Sequence, residues 1–357
     1  MMAPSSAFVD RVVPLFIFPA LAMGGAALLA THALERSFKL MFDLQCPKQG
    51  IGLTQLRIRY TGYEPLDEGV CWTVAFFHAL MKPDVVDFMY YVCASAPIIW
   101  IFPSVEAARR GTGWLNFPVA FPGVTLLISQ VITIGATMPL YWTFFLAGGH
   151  QHLKQTTAVI SQAHAESVFV GTQVGLLAPT VAMLVYNSPK VTAFWQPAPA
   201  FSAVLQQLYL LFRRPSQNGQ SGYVTIRTFY LGLFLLSATV YGTILIKRFP
   251  DVNGILSFFL PPLMPSGKVK MSVQTLNFLQ LDVLLAQTSC IFASFWFADS
   301  SAEVLGMLAW HLFAVPLAGP SASFIGVLIW REDKLNGSRG AFGVQNKLRK
   351  QKKSKQE

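Results

Sequence analysis

The chain has 357 residues, 53% of them hydrophobic and only 12% charged, with a formal net charge of +10 at pH 7. Soluble domains charge about a quarter of their positions, so a water-soluble class is excluded and the chain reads as all-α, a polytopic helical bundle in a bilayer. The excess charge crowds into the last residues, at Lys347, Arg349, Lys350, Lys352, Lys353 and Lys355. Anionic lipid attracts such a segment at about 1 kcal/mol per residue, and nucleic acid is not a partner to infer.

A hydrocarbon core of about 30 Å takes roughly 20 apolar residues in helical form. Windows of that kind occupy 12–31, 84–103, 118–147, 168–186, 228–246, 280–298 and 303–330. The first follows Arg11, contains Pro14, Pro19 and Gly24-Gly25, and has no polar cleavage region, so it reads as a span and not as a cleaved signal. The runs 70–81 and 201–212 are too short for ordinary spans and read as interfacial or re-entrant pieces, which leaves seven to nine spans. Residues 1–336 form the membrane-embedded domain, and 337–357 form a basic, unstructured cytosolic tail.

Lys and Arg set orientation. Seven spans with a cytosolic C-terminus put 32–83, 148–167, 247–279 and 331–357 inside, and leave outside only Arg11, Arg109, Arg110, Lys190, Arg213, Arg214 and Arg227. The Arg213-Arg214 pair is the misfit, and a crossing by 201–212 would move the loops before it to the other side. The ending Lys353-Ser-Lys355-Gln-Glu matches a dilysine retrieval pattern, so the expected location is the endoplasmic reticulum membrane. Cys46, Cys71, Cys93 and Cys290 show no CxxC spacing and read as packing residues, with no disulfide framework or metal.

Ionisable groups near spans are costly and carry functional candidates. Asp87, Glu166 and Asp282 are expected near the cytosolic face, where three carboxyls at one depth would keep one protonated as a Brønsted acid. Asp282 or Asp87 is the expected proton donor and Glu166 its tuning partner. Asp299, Glu303 and His311 form a secondary set at the opposite face. For any one of these acids, a plain helix end at headgroup level is the simpler reading. Aromatic rings stabilise cations, and Trp296, Tyr141 and Phe295 are the candidate wall, although an interfacial aromatic belt explains the same residues. His150, His152, His164 and Glu166 fit no metal-ligand spacing, and no metal or other cofactor is expected. Walker, GxGxxG and GxSxG motifs are absent, which removes support for nucleotide-driven, nicotinamide or common serine-hydrolase chemistry.

The span layout, the acids at span ends and the closing Trp310-His311-Leu-Phe-Ala-Val-Pro316-Leu-Ala-Gly-Pro320 stretch resemble the fungal membrane-bound terpene cyclases of meroterpenoid pathways, of the ascochlorin and macrophorin type. That resemblance implies cyclisation of a farnesyl chain on an aromatic or polyketide core, begun by protonating an epoxide or alkene. No DDxxD, NSE-type or DxDD motif is present, so an isolated carboxyl would have to supply the proton. The implied partners are the bilayer, an apolar prenylated substrate and other membrane enzymes of a pathway. Two rival classes stay open: a seven-span receptor or transport protein, and a non-catalytic membrane partner of a pathway.

Overall fold

A computed structural model describes residues 12–47, 54–109, 117–153, 158–264 and 269–337. The regular elements among them are helical, as the composition predicts, and six helical stretches are long and apolar enough to cross a bilayer. The retrieval-type ending and nearly all of the basic tail lie outside the described residues.

Helix α1 (Pro14–Ala33) opens on a proline, whose missing N–H is harmless in a first turn, and is apolar on every side. Phe16 and Met23 are 71% and 68% exposed, so its outer face meets lipid. Two short helices follow, α2 (Arg36–Gln45) and α3 (Glu64–Leu80), the latter covering the expected interfacial run 70–81. They are joined by a disulfide between Cys46 and Cys71, which corrects the reading of these two cysteines as packing residues. Their 25-residue separation carries no motif, and only the packing of α2 on α3 brings them together.

The next pass is α4 (Val86–Ser95) with α5 (Pro97–Ala107). Residues 118–147, expected as one span, are instead α6 (Phe117–Ala120), α7 (Pro122–Ile132) and α8 (Ile134–Ala147). Thr133, at φ +86°, breaks the helix. This segment enters and leaves at the same end of the bundle: Arg331 holds the carbonyl of His150 after α8, and also Glu106, the ion partner of Arg109 before α6. It is a re-entrant hairpin, and apolar content alone cannot distinguish a hairpin from a crossing.

A longer pass joins α9 (Gln162–Thr172), a π-helical turn at Gln173–Leu177, and α10 (Ala178–Tyr186). After α11 (Pro189–Trp195), α12 (Ala198–Phe212) runs back along the π-helical turn and α9, which corrects the interfacial reading of 201–212. Close approach at Gly171 and Gly175 makes this possible. A Cβ at either would lie 2.5 Å from Gln206 or Ser202, the small-residue packing that membrane helices use. Then come α13 (Tyr223–Arg248), α14 (Val252–Phe259), α15 (Met271–Ser294), a short 3-10 turn at Phe295–Phe297, α16 (Ser301–Ala318) and α17 (Pro320–Asn336). The single window 303–330 is thus two antiparallel helices, turned at Gly319 with φ +90° and followed by Pro320.

At the disulfide end, Ser272 donates to Asp84 at 2.9 Å, Lys247 and Arg248 pair with Asp87, and His32 meets the carbonyl of Leu263. At the other end, Phe18 packs on Trp296 with ring centroids 5.7 Å apart, Lys334 donates to the Phe297 carbonyl, and Arg213 pairs with Glu166. The beginning of α1 and the end of α17 therefore share one end, and the number of passes is even. This corrects the seven-span sidedness: the described residues of 32–83 and 247–279 lie at the disulfide end, whereas those of 148–167 and the end of α17 lie at the other. Arg213 is no longer a misfit, because the crossing by α12 places it at the end where α17 finishes.

Candidate functional site

A cavity of about 520 Å³ opens at the disulfide end, within the range of small-molecule sites. Rings form much of its wall, among them Phe38, Trp72, Phe77, Trp100, Trp195 and Phe278. Leu34, Lys39 and Val131 line it too and are exposed, so its rim meets the surface at an apolar stretch. The tip of the re-entrant hairpin, Ser129 to Ile134, closes one side.

Among the described residues, Asp282 is the acidic one in this wall. It sits in the middle of α15, three turns beyond Met271, and is 6% exposed. Its Oδ1 accepts from the backbone N–H of Gly135 at 2.6 Å, and the Thr133 hydroxyl and Ile134 N–H approach the same carboxyl. The break at Thr133 explains these donors: the first residues of α8 have N–H groups with no partner inside the helix. A carboxylate at a helix start is stabilised by those donors and by the helix dipole. In chemical terms, the chain presents one fixed carboxyl to an aromatic, water-poor chamber.

The other sequence candidates are elsewhere. Asp87, in the first turn of α4, is held by Lys247 Nζ at 2.9 Å and by Arg248. Glu166 is at the opposite end, bonded to Arg213, Tyr209 and Gln162. The three carboxyls do not converge: Asp87 and Glu166 lie near the starts of α4 and α9 at opposite ends of the bundle, and α15 begins at Met271, which leaves Asp282 in mid-helix and not at a span start. Asp299 and Glu303 share Lys334. His311 is buried between the hydroxyls of Ser294 and Ser323, at 2.9 and 2.7 Å. Tyr141 belongs to a ring cluster with Phe102, Trp142 and Phe145, Trp296 packs on Phe18, and Phe295 on His311. None of these three rings lines the Asp282 cavity.

A buried ion network escapes sequence reading altogether. Arg109 donates Nε to Glu106 Oε1 at 2.9 Å and Nη1 to the Ala158 carbonyl at 2.8 Å, and it also pairs with Glu332. Arg331 grips Glu106 at 2.6 and 3.1 Å and lies 4.5 Å from the centre of the Phe297 ring. All four side chains are at most 3% exposed. Burial opposes the Arg109 charge, and the adjacent Glu106 and Glu332 carboxylates more than offset it and raise its pKa. The available signal was a Glu-x-x-Arg pair after an apolar run and an Arg-Glu pair closing another, both of which look like ordinary span ends.

No curated protein and no solved structure matches the chain. Residues 39–335 match the CtvD domain, a stretch that takes in α3 through most of α17 and therefore the whole cavity wall contributed by them. The chain belongs to the CtvD domain family.

Proposed function

We propose that this protein is a membrane-bound terpene cyclase of fungal secondary metabolism, which closes rings in the farnesyl chain of a meroterpenoid with Asp282 as the initiating acid. The observation that carries this reading is the position of Asp282: it is the acid in the wall of a large aromatic cavity, inside an apolar bundle. In the proposed reaction the Asp282 carboxyl gives its proton to an epoxide oxygen and a C–O bond breaks. The carbon left electron-poor is attacked by the π electrons of a neighbouring alkene, which forms the ring bond. A proton then leaves the final cation, so substrate and product are isomers. Gly135 N–H keeps Oδ1 in place while the proton moves, and ring faces such as Phe77 and Phe278 stabilise passing positive charge. The apolar walls keep water from capturing the cation early.

The test uses membranes bearing the protein, fed a farnesylated phenol with a terminal epoxide. A cyclised product of unchanged mass is expected. Asp282→Asn keeps size and hydrogen bonding but has no proton to give, and general acid catalysis is worth about 100-fold to 10,000-fold, so turnover should fall by that order at normal abundance. Asp87→Asn and Glu166→Gln should alter abundance more than turnover, because both carboxylates hold helix ends. Full activity in Asp282→Asn would remove this residue as the acid, and binding without turnover by the wild type would favour a non-catalytic carrier.

A further inference from the structure

Resting on that reading of the cavity, we infer that Trp72 and Trp100 are positioning residues that grip the two ends of an elongated ligand, so that the ligand carries a hydrogen-bond acceptor at each end. Both indoles line the cavity. Both Nε1–H groups are buried and make no hydrogen bond among the described residues. A buried donor without a partner is costly, and native structures leave few of them. Indole nitrogen donates only, so whatever satisfies these groups must accept.

Their levels differ. Trp72 packs with the cluster around Cys46 and Cys71, to which Met271, the first residue of α15, also belongs. Asp282 is eleven residues further along α15, which is about 16 Å at the rise of an α-helix. That distance is comparable to an extended farnesyl chain. Trp100 is fourteen residues into the pass that starts at Val86, about 21 Å from its start by the same rise, and so belongs to the deep level. Trp72 therefore faces the outer end of a bound chain and Trp100 the inner end, where Asp282 also lies.

The lining also limits the chemistry of the outer end. Among the described residues, Lys39, exposed at the rim, is the cationic side chain in the wall, and no arginine lines it to hold a diphosphate. A neutral acceptor such as a quinone, ketone or lactone ring satisfies Trp72, whereas a hydrocarbon end leaves its N–H unpaired.

Equilibrium binding to the full-length protein in nanodiscs separates the two roles. The probes are farnesyl-para-benzoquinone, farnesylbenzene, and farnesylbenzene with a terminal epoxide. Trp72→Phe keeps a ring and removes the N–H, and should weaken quinone binding about 3- to 10-fold, the size of one net hydrogen bond, while leaving farnesylbenzene unchanged. Trp100→Phe should weaken only the epoxide-bearing ligand, by a similar factor. Equal losses for all three probes would show that the indoles only fill space, and no loss for any would show that neither N–H meets the ligand; either result overturns the proposal. Because the readout is binding, it stands apart from turnover: selective losses without cyclisation would retain the two grips and reject the cyclase reading.

Discussion

The backbone N–H of Gly135 donates to Asp282 Oδ1 at 2.6 Å across 147 positions of sequence. Gly135 has no side chain because none fits: a Cβ there would lie 2.8 Å from both the carbonyl oxygen and Oδ1 of Asp282, and 3.1 Å from Leu285. Gly25 of α1 approaches the same place, with its own Cβ position 3.3 Å from the Gly135 carbonyl. Three helices thus meet on two glycines, and the carboxyl is fixed by that meeting.

Gly135→Ala should therefore push α8 away from α15 and lose the contact to Asp282 while the carboxyl itself remains. Overpacking of this kind costs typically 1–3 kcal/mol, so folded protein should still be recovered. A 1 Å misplacement of a catalytic group costs on the order of 100-fold, and turnover should drop by about that factor. Turnover at the wild-type level in Gly135→Ala would separate Asp282 from the reaction.

The disulfide sets a side. Disulfides persist in the lumen and are rare in the cytosol, so the Cys46–Cys71 end, where the cavity opens, is expected to face the lumen. The start of α1 and the end of α17, which share the other end, are then expected to face the cytosol. Protease added to sealed microsomes should remove tags placed before Met1 and after Glu357, and a maleimide-polyethylene glycol reagent should label Cys46 and Cys71 only after reduction and permeabilisation. Protection of the tag before Met1 alone would restore an odd number of passes.

The ion network should be intolerant of single changes. Removing one partner of a buried pair leaves an uncompensated charge and costs about 3–5 kcal/mol, so Arg109→Met, Arg331→Met and Glu106→Gln should each lower the unfolding temperature and the yield of folded protein sharply. Glu303→Gln, whose carboxyl is one-third exposed beside Lys334, should cost no more than about 1 kcal/mol. Thermal unfolding in detergent compares them directly; equal, small effects would mean that water reaches the network.

Asp67, at the start of α3, accepts from the N–H and hydroxyl of Thr61 at 2.7 Å and from Gly62 N–H at 3.2 Å. Burial pushes its carboxyl up, but the hydrogen bonds from Thr61 and Gly62 outweigh this and hold it below the ordinary carboxylate value. A depressed folded pKa gives stability that is present above the unfolded value and is lost as pH falls through the folded one. The difference in unfolding temperature between wild type and Asp67→Asn should stay constant from about pH 7 to about pH 4 and shrink below that, given an unfolded carboxyl near 3.9. A difference that already shrinks near pH 6 would place some other group in control.

By itself the sequence determined the solvent and the class. Few charges and repeated apolar runs leave helices as the structure whose backbone polar groups are all satisfied in lipid, and Asp87, Glu166 and Asp282 stood out together as acids near spans because charge there is costly. Tertiary structure decided the rest. Thr133 and Gly319 turn continuous apolar runs into a hairpin and a helix pair, and hydropathy sums composition over a window without regard to the backbone angles that reverse the chain. Sidedness failed for the same reason, since each hidden reversal moves every following loop to the other face. Cys46 and Cys71, Gly135 and Asp282, and the Glu106 and Arg331 pair are all contacts between distant segments, and no local pattern encodes which helix faces meet. Asp282 was therefore legible as one candidate beside Asp87 and Glu166, but its donors, its cavity and its distance from those two follow only from how the helices pack.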